Sequence, residues 1–217
     1  MRGILDRAES KDQSILIGGE SGAGKTETTK LCLRYLSWRS GADDAAPAAA
    51  QAAAAGAGGT TLVLEEALMK SNPLLEGLGN AKTTRNHNSS RFGKYIQVFV
   101  TPNNENTIII GARITSFLLE KVRVVEQLPN ERNYHIFYQL CTGAEPDDIK
   151  KLSVSKDPSK HQLLGGCVSA GPMVNDKAQY LELRGAMHAL QIDTGSQGAM
   201  LRALGAVLHL GDLEFQA

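Results

Sequence analysis

Apolar and polar positions follow two rhythms along the chain, and each rhythm marks its own elements. Ser14-Ile15-Leu16-Ile17 is a short apolar run ending at Gly18-Gly19, which predicts a buried strand over 14–18. A polar helix start at Lys25 follows, with Leu31, Tyr35 and Trp38 at i, i+4 and i+7. Leu62 to Lys70 reads as helix, and Asn72-Pro73 opens another with proline in the tolerated first position. Tyr95 to Val100 and Thr107 to Ile110 read as strands, spanning 95–101 and 107–114 with their flanks. Asn103-Asn104-Glu105-Asn106 between them is hairpin chemistry. Tyr134, Phe137, Tyr138 and Cys141 mark a helix that stops at Gly143. Thr194 with Gln197 resembles a capping box, after which Met200, Leu204 and Val207 line one face up to a stop at Gly211. Strands mixed with long helices, after a strand–loop–helix opening, predict an α/β fold.

One stretch breaks both rhythms. Ala42 to Gly59 is almost entirely alanine and glycine, and Pro47 with the glycines at 56, 58 and 59 weakens any helix there. It reads as a solvent-exposed, flexible insertion over 40–60 between ordered segments. Composition then narrows the class. The chain has 217 residues, 42% of them hydrophobic, enough for a packed core in one large domain or part of one. Lys plus Arg and Asp plus Glu number 23 each, so there is no basic excess of the kind a nucleic-acid binder carries. No apolar run reaches the 18 or so residues that would predict a membrane span. Cys32, Cys141 and Cys167 are odd in number and far apart, which argues for a reduced intracellular setting and against a disulfide framework.

Two segments carry chemistry. Gly19-Glu20-Ser21-Gly22-Ala23-Gly24-Lys25-Thr26 fits the phosphate-binding pattern G-x-x-x-x-G-K-[ST]. Gly22 and Gly24 let the backbone curl into an anion nest at a helix N-terminus. Lys25 brings a point charge to the β- and γ-phosphates, and the Thr26 hydroxyl suits Mg²⁺. The second segment is Asn86-His87-Asn88-Ser89-Ser90-Arg91-Phe92-Gly93. Its hydroxyls, amides and guanidinium suit a loop that senses a γ-phosphate, although Asn- and Ser-rich loops are usually plain turns. His87 reads as a solvated loop residue.

Together these segments resemble the myosin motor domain. Asp12 to Ile17 leading into Gly19 to Glu27 is similar to the myosin P-loop. Asn72-Pro73-Leu74-Leu75-Glu76, Gly79-Asn80-Ala81-Lys82-Thr83 and Asn88 to Lys94 resemble the approach to switch I and that loop itself. Leu118-Leu119-Glu120-Lys121, Glu131 to Leu140 and Leu208-His209-Leu210-Gly211 match further myosin stretches in family order. The resemblance covers roughly residues 10 to 215.

The resemblance implies a P-loop NTPase with a partial central mixed β-sheet flanked by helices and a mostly helical upper subdomain. Residues 10–39 would be strand, P-loop and helix; 40–60 the variable loop 1; and 61–217 switch I with much of the upper 50-kDa region. ATP and Mg²⁺ are the implied cofactors. Gly19, Glu20, Ser21, Gly22, Ala23, Gly24, Lys25 and Thr26 would bind nucleotide, with Asn86 donating to phosphate oxygens. Thr26 and Ser90 would ligate the metal, and Ser89 would sit at the γ-phosphate near the attacking water. Arg91 would pair with a switch II glutamate and shut the site, with Lys25 and Ser89 the other catalytic groups. Glu131, His135 and Tyr138 read as core packing.

The family reading also implies actin filaments as the partner of a complete motor, and light chains or calmodulin bound elsewhere. It implies a cytoplasmic, cytoskeleton-associated protein without a membrane span. Departures are Thr28 for a common Asn, His87 for Asp, Gly77-Leu78 for Ala-Phe, and Pro129-Asn130 before Glu131 where Gly is usual. None removes a catalytic side chain. The 217 residues contain no Asp-x-x-Gly-Phe-Glu switch II motif, so the chain reads as an internal piece of such a motor. Two alternatives stand beside this reading. One is a kinesin-like motor, disfavoured because Phe92-Gly93 follow Arg91 where kinesins have Ser-His; the other is a nonmotor nucleotide-binding or scaffolding remnant.

Overall fold

The computed structural model describes residues 12–20, 22–39, 68–103, 106–171 and 174–215. The alanine–glycine stretch over 40–60, residues 62–67 of the expected second helix, Ser21, and the hairpin tip Asn104-Glu105 lie outside the described residues. The chain divides into two compact units, Met1–Met69 with Tyr95–Thr115, and Lys70–Lys94 with Ser116–Ala217.

In the first unit, helix α1 (Lys25–Arg39) begins where the glycine-rich loop ends. Thr28 N donates to Gly24 O at 2.9 Å and closes the first turn. The predicted stripe of Leu31, Tyr35 and Trp38 is exposed, with the two rings 5.9 Å apart. The strand expected over 14–18 is not formed: residues 12–20 carry no regular structure, and Leu16 is 97% exposed. A buried strand needs neighbours to take up its N–H and C=O groups, and no described strand does so. The two other expected strands do form. They are β3 (Gly93–Asn103) and β4 (Asn106–Phe117), paired as a hairpin whose base belongs to the second unit.

The second unit is built on helices. In chain order they are α2 (Asn72–Gly79), α3 (His135–Gly143), α4 (Pro146–Leu152), α5 (Asp176–Ala189) and α6 (Thr194–Gly211). Helix α3 is apolar nearly all round, so it lies in the core: all its residues except Thr142 are buried. Leu164, Leu183, Leu201 and Leu208 join it in one cluster. Gly143 permits a close approach to α5, because a Cβ there would stand 2.5 Å from Tyr180 Cβ. Helix α6 is capped by Asp193, whose carboxylate accepts from Ser196 N, rather than by the expected Thr194–Gln197 box. Asp193 holds extended backbone (φ −64°, ψ 155°), which leaves Thr194 as the first helical residue.

Two short strands complete the unit, β1 (Asn80–Ala81) and β2 (Ser89–Ser90). They pair antiparallel, with Asn80 opposite Ser90 and Ala81 opposite Ser89. Ala81 also bridges to Tyr134, at the threshold of α3, so the Ser89–Ser90 strand is tied to the core through one intermediate strand. The α/β expectation holds as a mixture of helix and strand, with the described strands forming two separate two-stranded sheets.

Candidate nucleotide-binding site

One candidate segment, in the first unit, is the glycine-rich loop. Gly22 and Gly24, on either side of Ala23, hold φ of 84° and 85°, where any side chain would strain the backbone. Alternating hand of this kind turns successive N–H groups to one side, the geometry of an anion nest. The Lys25 side chain folds back over the loop, and its Nζ donates to Gly19 O at 2.8 Å and Glu20 O at 2.7 Å. Thr26 lies exposed in the first turn of α1, beside the positive end of the helix dipole. An ammonium, a helix N-terminus and a hydroxyl, with no carboxylate paired to Lys25 among the described residues, fit a polyphosphate with its divalent cation.

The other candidate segment, in the second unit, is the Asn86–Gly93 loop, and its own side chains order it. Thr83 N donates to Asn86 O at 2.9 Å, and Asn86 N donates back to Thr83 Oγ1 at 3.2 Å. Asn86 Oδ1 accepts from Asn88 N at 2.9 Å, so any donation from this side chain to phosphate comes from Nδ2. Asn88 bridges outward, accepting from Asn80 Nδ2 and donating to Glu76 Oε2. Ser90 is exposed and its Oγ donates to Phe92 O at 3.0 Å, whereas Ser89 is buried. Exposed His87 lies against Gly171.

Arg91 has a carboxylate partner within the described residues: its Nε donates to Glu120 Oε2 at 2.6 Å, and its Nη1 donates to Ser89 Oγ at 3.3 Å. The hairpin explains the meeting. Pairing of β3 with β4 brings the residues flanking both strands together, and Glu120 N donates to Arg91 O at 3.0 Å. Behind Glu120 stands Arg123, whose Nε donates to the same Oε2 at 2.6 Å. Arg123 Nη1 reaches Glu131 Oε2 at 3.0 Å, and Glu131 Oε1 accepts from Thr84 N. The result is an alternating chain of two guanidiniums and two carboxylates. The Arg91 hydrogen bond, opposed by burial and reinforced by Arg123, lowers the Glu120 carboxyl to about 2.

The core reading of Glu131, His135 and Tyr138 is right about burial, but Glu131 is also a member of this charge chain. Glu120 and Arg123 escaped sequence reasoning as site residues. Their spacing of three along the chain hints at a pair, but nothing local ties that pair to Arg91.

The glycine-rich loop at a helix start carries the P-loop sequence pattern. The myosin head (motor domain) family matches residues 5–217, and the chain belongs to that family. It is 43% identical over 210 residues to Myosin-5 of Arabidopsis thaliana, covering 95% of this chain and 12% of that protein. It is 40% identical over 211 residues to Unconventional myosin-VIIb of Mus musculus, covering 97% of this chain and 9% of that one. Myosin-I heavy chain of Dictyostelium discoideum is 40% identical over 209 residues, covering 96% and 8%. The chain thus spans about a tenth of the length of the curated relatives it matches. The kinesin-like alternative finds no support.

Proposed function

We propose that this chain supplies the phosphate-binding part of an actin-based motor ATPase. The observation that carries the reading is the Lys25 ammonium folded over a positive-φ glycine loop at the start of a helix, in a myosin head chain. On this reading residues 19–26, with Asn86, bind nucleotide, and Thr26 and Ser90 offer hydroxyls to Mg²⁺. Bound Mg²⁺ supplies charge neutralisation for phosphoryl transfer. Lys25, Ser89 and Arg91 are the groups assigned to the reacting phosphate. The domain assignment follows the same reading: 10–39 for the P-loop segment, 40–60 for loop 1, and 61–217 for switch I and upper 50-kDa region. On the same reading the β3–β4 hairpin is the described part of a central sheet flanked by helices.

Actin filaments are the proposed partner of the complete motor, with light chains or calmodulin bound outside these residues. The proposed setting is cytoplasmic and cytoskeleton-associated; among the described residues no helix is long and apolar enough to cross a membrane. The test is nucleotide binding by the chain itself. Charge-assisted phosphate contacts are worth about 1.5–3 kcal/mol each, so Lys25→Ala weakens Mg²⁺-dependent ATP binding by roughly tenfold to a hundredfold. A fluorescent-nucleotide titration giving equal affinity for both forms sinks the assignment.

A further inference from the structure

An arginine that works at a phosphate is useful only if its guanidinium is held in place, and the structure shows what holds Arg91. Its main chain is pinned on both sides, with N donating to Gly79 O at 2.8 Å and O accepting from Glu120 N at 3.0 Å. Its side chain is pinned by Glu120, which takes Nε, so the guanidinium plane is set and Nη1 is directed to Ser89 Oγ. Glu120 is anchored from the core side by Arg123, a 95%-buried side chain held in turn by Glu131 and by Arg132 O. Tyr134 OH adds a bond of 2.7 Å to the Glu120 carbonyl.

We propose that Glu120 is a positioning residue for the nucleotide site, fixing the Arg91 guanidinium and, through it, Ser89, from a base made by Arg123 and Glu131. The proposal rests on the reading of Arg91 as a nucleotide-site residue. Its geometric content is separate: removing the Glu120 charge frees Arg91 but leaves Arg123 tied to Glu131. Because each bond to Glu120 is charge-assisted and short, the loss is large at Arg91. Little changes at Arg123, which keeps a second carboxylate.

Trypsin reads this directly, since cleavage after Arg91 requires its guanidinium to leave Glu120 and enter the protease pocket. In the full 217-residue chain, Glu120→Gln raises the rate of cleavage at Arg91–Phe92 by roughly tenfold. The rates after Arg132 and Arg123 and the urea midpoint stay near wild type. Glu120→Asp, which keeps the charge, restores most of the protection. With a fluorescent Mg²⁺-nucleotide, Glu120→Gln and Arg91→Lys each weaken binding by about three- to tenfold. The double variant is no weaker than the worse single one. An unchanged Arg91 cleavage rate in Glu120→Gln overturns the proposal. So does a general rise at every site with a fallen midpoint, which makes Glu120 a fold residue only, and so do additive effects in the double variant. If Lys25→Ala leaves nucleotide affinity untouched while Arg91 cleavage still responds to Glu120, the nucleotide reading fails and the clamp on the loop stands.

Discussion

Single residues show how differently this fold treats its charges. Lys25 lies against main-chain carbonyls, while Arg91 is engaged by a carboxylate from a distant segment. His135 is a third case. Burial first, and then the Arg132 charge, push its imidazole down to about 4, and its Nδ1 has no hydrogen-bond partner among the described residues. A depressed histidine favours the neutral form in the fold, so the unfolded chain binds the extra proton between pH 6.5 and about 4. Stability is complete above pH 6.5 and falls as pH drops through that window. From pH 7 to 5 the contribution lost is about 2 kcal/mol. Urea melts at both pH values should show that loss in wild type and little of it in His135→Phe; equal losses refute the assignment. Glu120 has the opposite protonation chemistry and a lower window, its contribution fading as pH falls from 4.5 to about 2. Lys25 and its glycines were legible in the sequence because eight adjacent residues make that geometry. The Arg91–Glu120 pair was not, because its partners lie 29 residues apart and meet only when a hairpin forms.

At the scale of elements, legibility follows how much of an element's environment is local. Helix α3 was readable from its apolar spacing, and the β3–β4 hairpin from two β-branched runs around an Asn-rich turn. The segment at 14–18 has an equally good pattern, but a strand is completed by its neighbours, and pattern alone does not supply them. The cap of α6 slipped by one residue because Thr194 and Asp193 are both competent caps, and backbone conformation decides between them. Helix packing makes a paired prediction. Gly143→Ala puts a methyl 2.5 Å from Tyr180 Cβ, an atom fixed to the α5 backbone. Overpacking of this kind costs about 1–3 kcal/mol and outweighs the ~1 kcal/mol helix-propensity gain. Gly185→Ala, exposed on α5 with nothing within 4 Å, keeps the gain and stabilises by about 0.5–1 kcal/mol. Thermal melts of the two variants should move in opposite directions, and a shared direction contradicts the close-packing account.

Across the whole molecule the two units differ in how well they bury apolar surface. The second has a continuous core around α3, whereas the first leaves Leu16, Leu31, Trp38, Tyr95, Phe99 and Ile110 exposed. Exposed apolar side chains beside unpaired strand edges favour association. The chain expressed by itself is therefore expected to self-associate, and a sharp monomer peak in size-exclusion chromatography contradicts this. Turnover is the stricter test of what these 217 residues can do. Phosphoryl transfer depends on positioning and on preorganised charge around the reacting phosphate. In the family reading Arg91 closes the site by meeting a carboxylate from switch II, and no Asp-x-x-Gly-Phe-Glu motif occurs in the sequence. Among the described residues the carboxylate that Arg91 meets is Glu120. Binding without rapid hydrolysis follows, at a rate orders of magnitude below that of a closed site. Coupling to actin is expected to fail as well, because a filament can reward closure only in a chain that can close. The measurement is phosphate release by the 217-residue chain with and without filamentous actin, alongside co-sedimentation with and without ATP. The expected result is slow release that actin does not change and no ATP-reversible pelleting. Several-fold stimulation by actin would mean that closure needs no partner for Arg91 beyond Glu120.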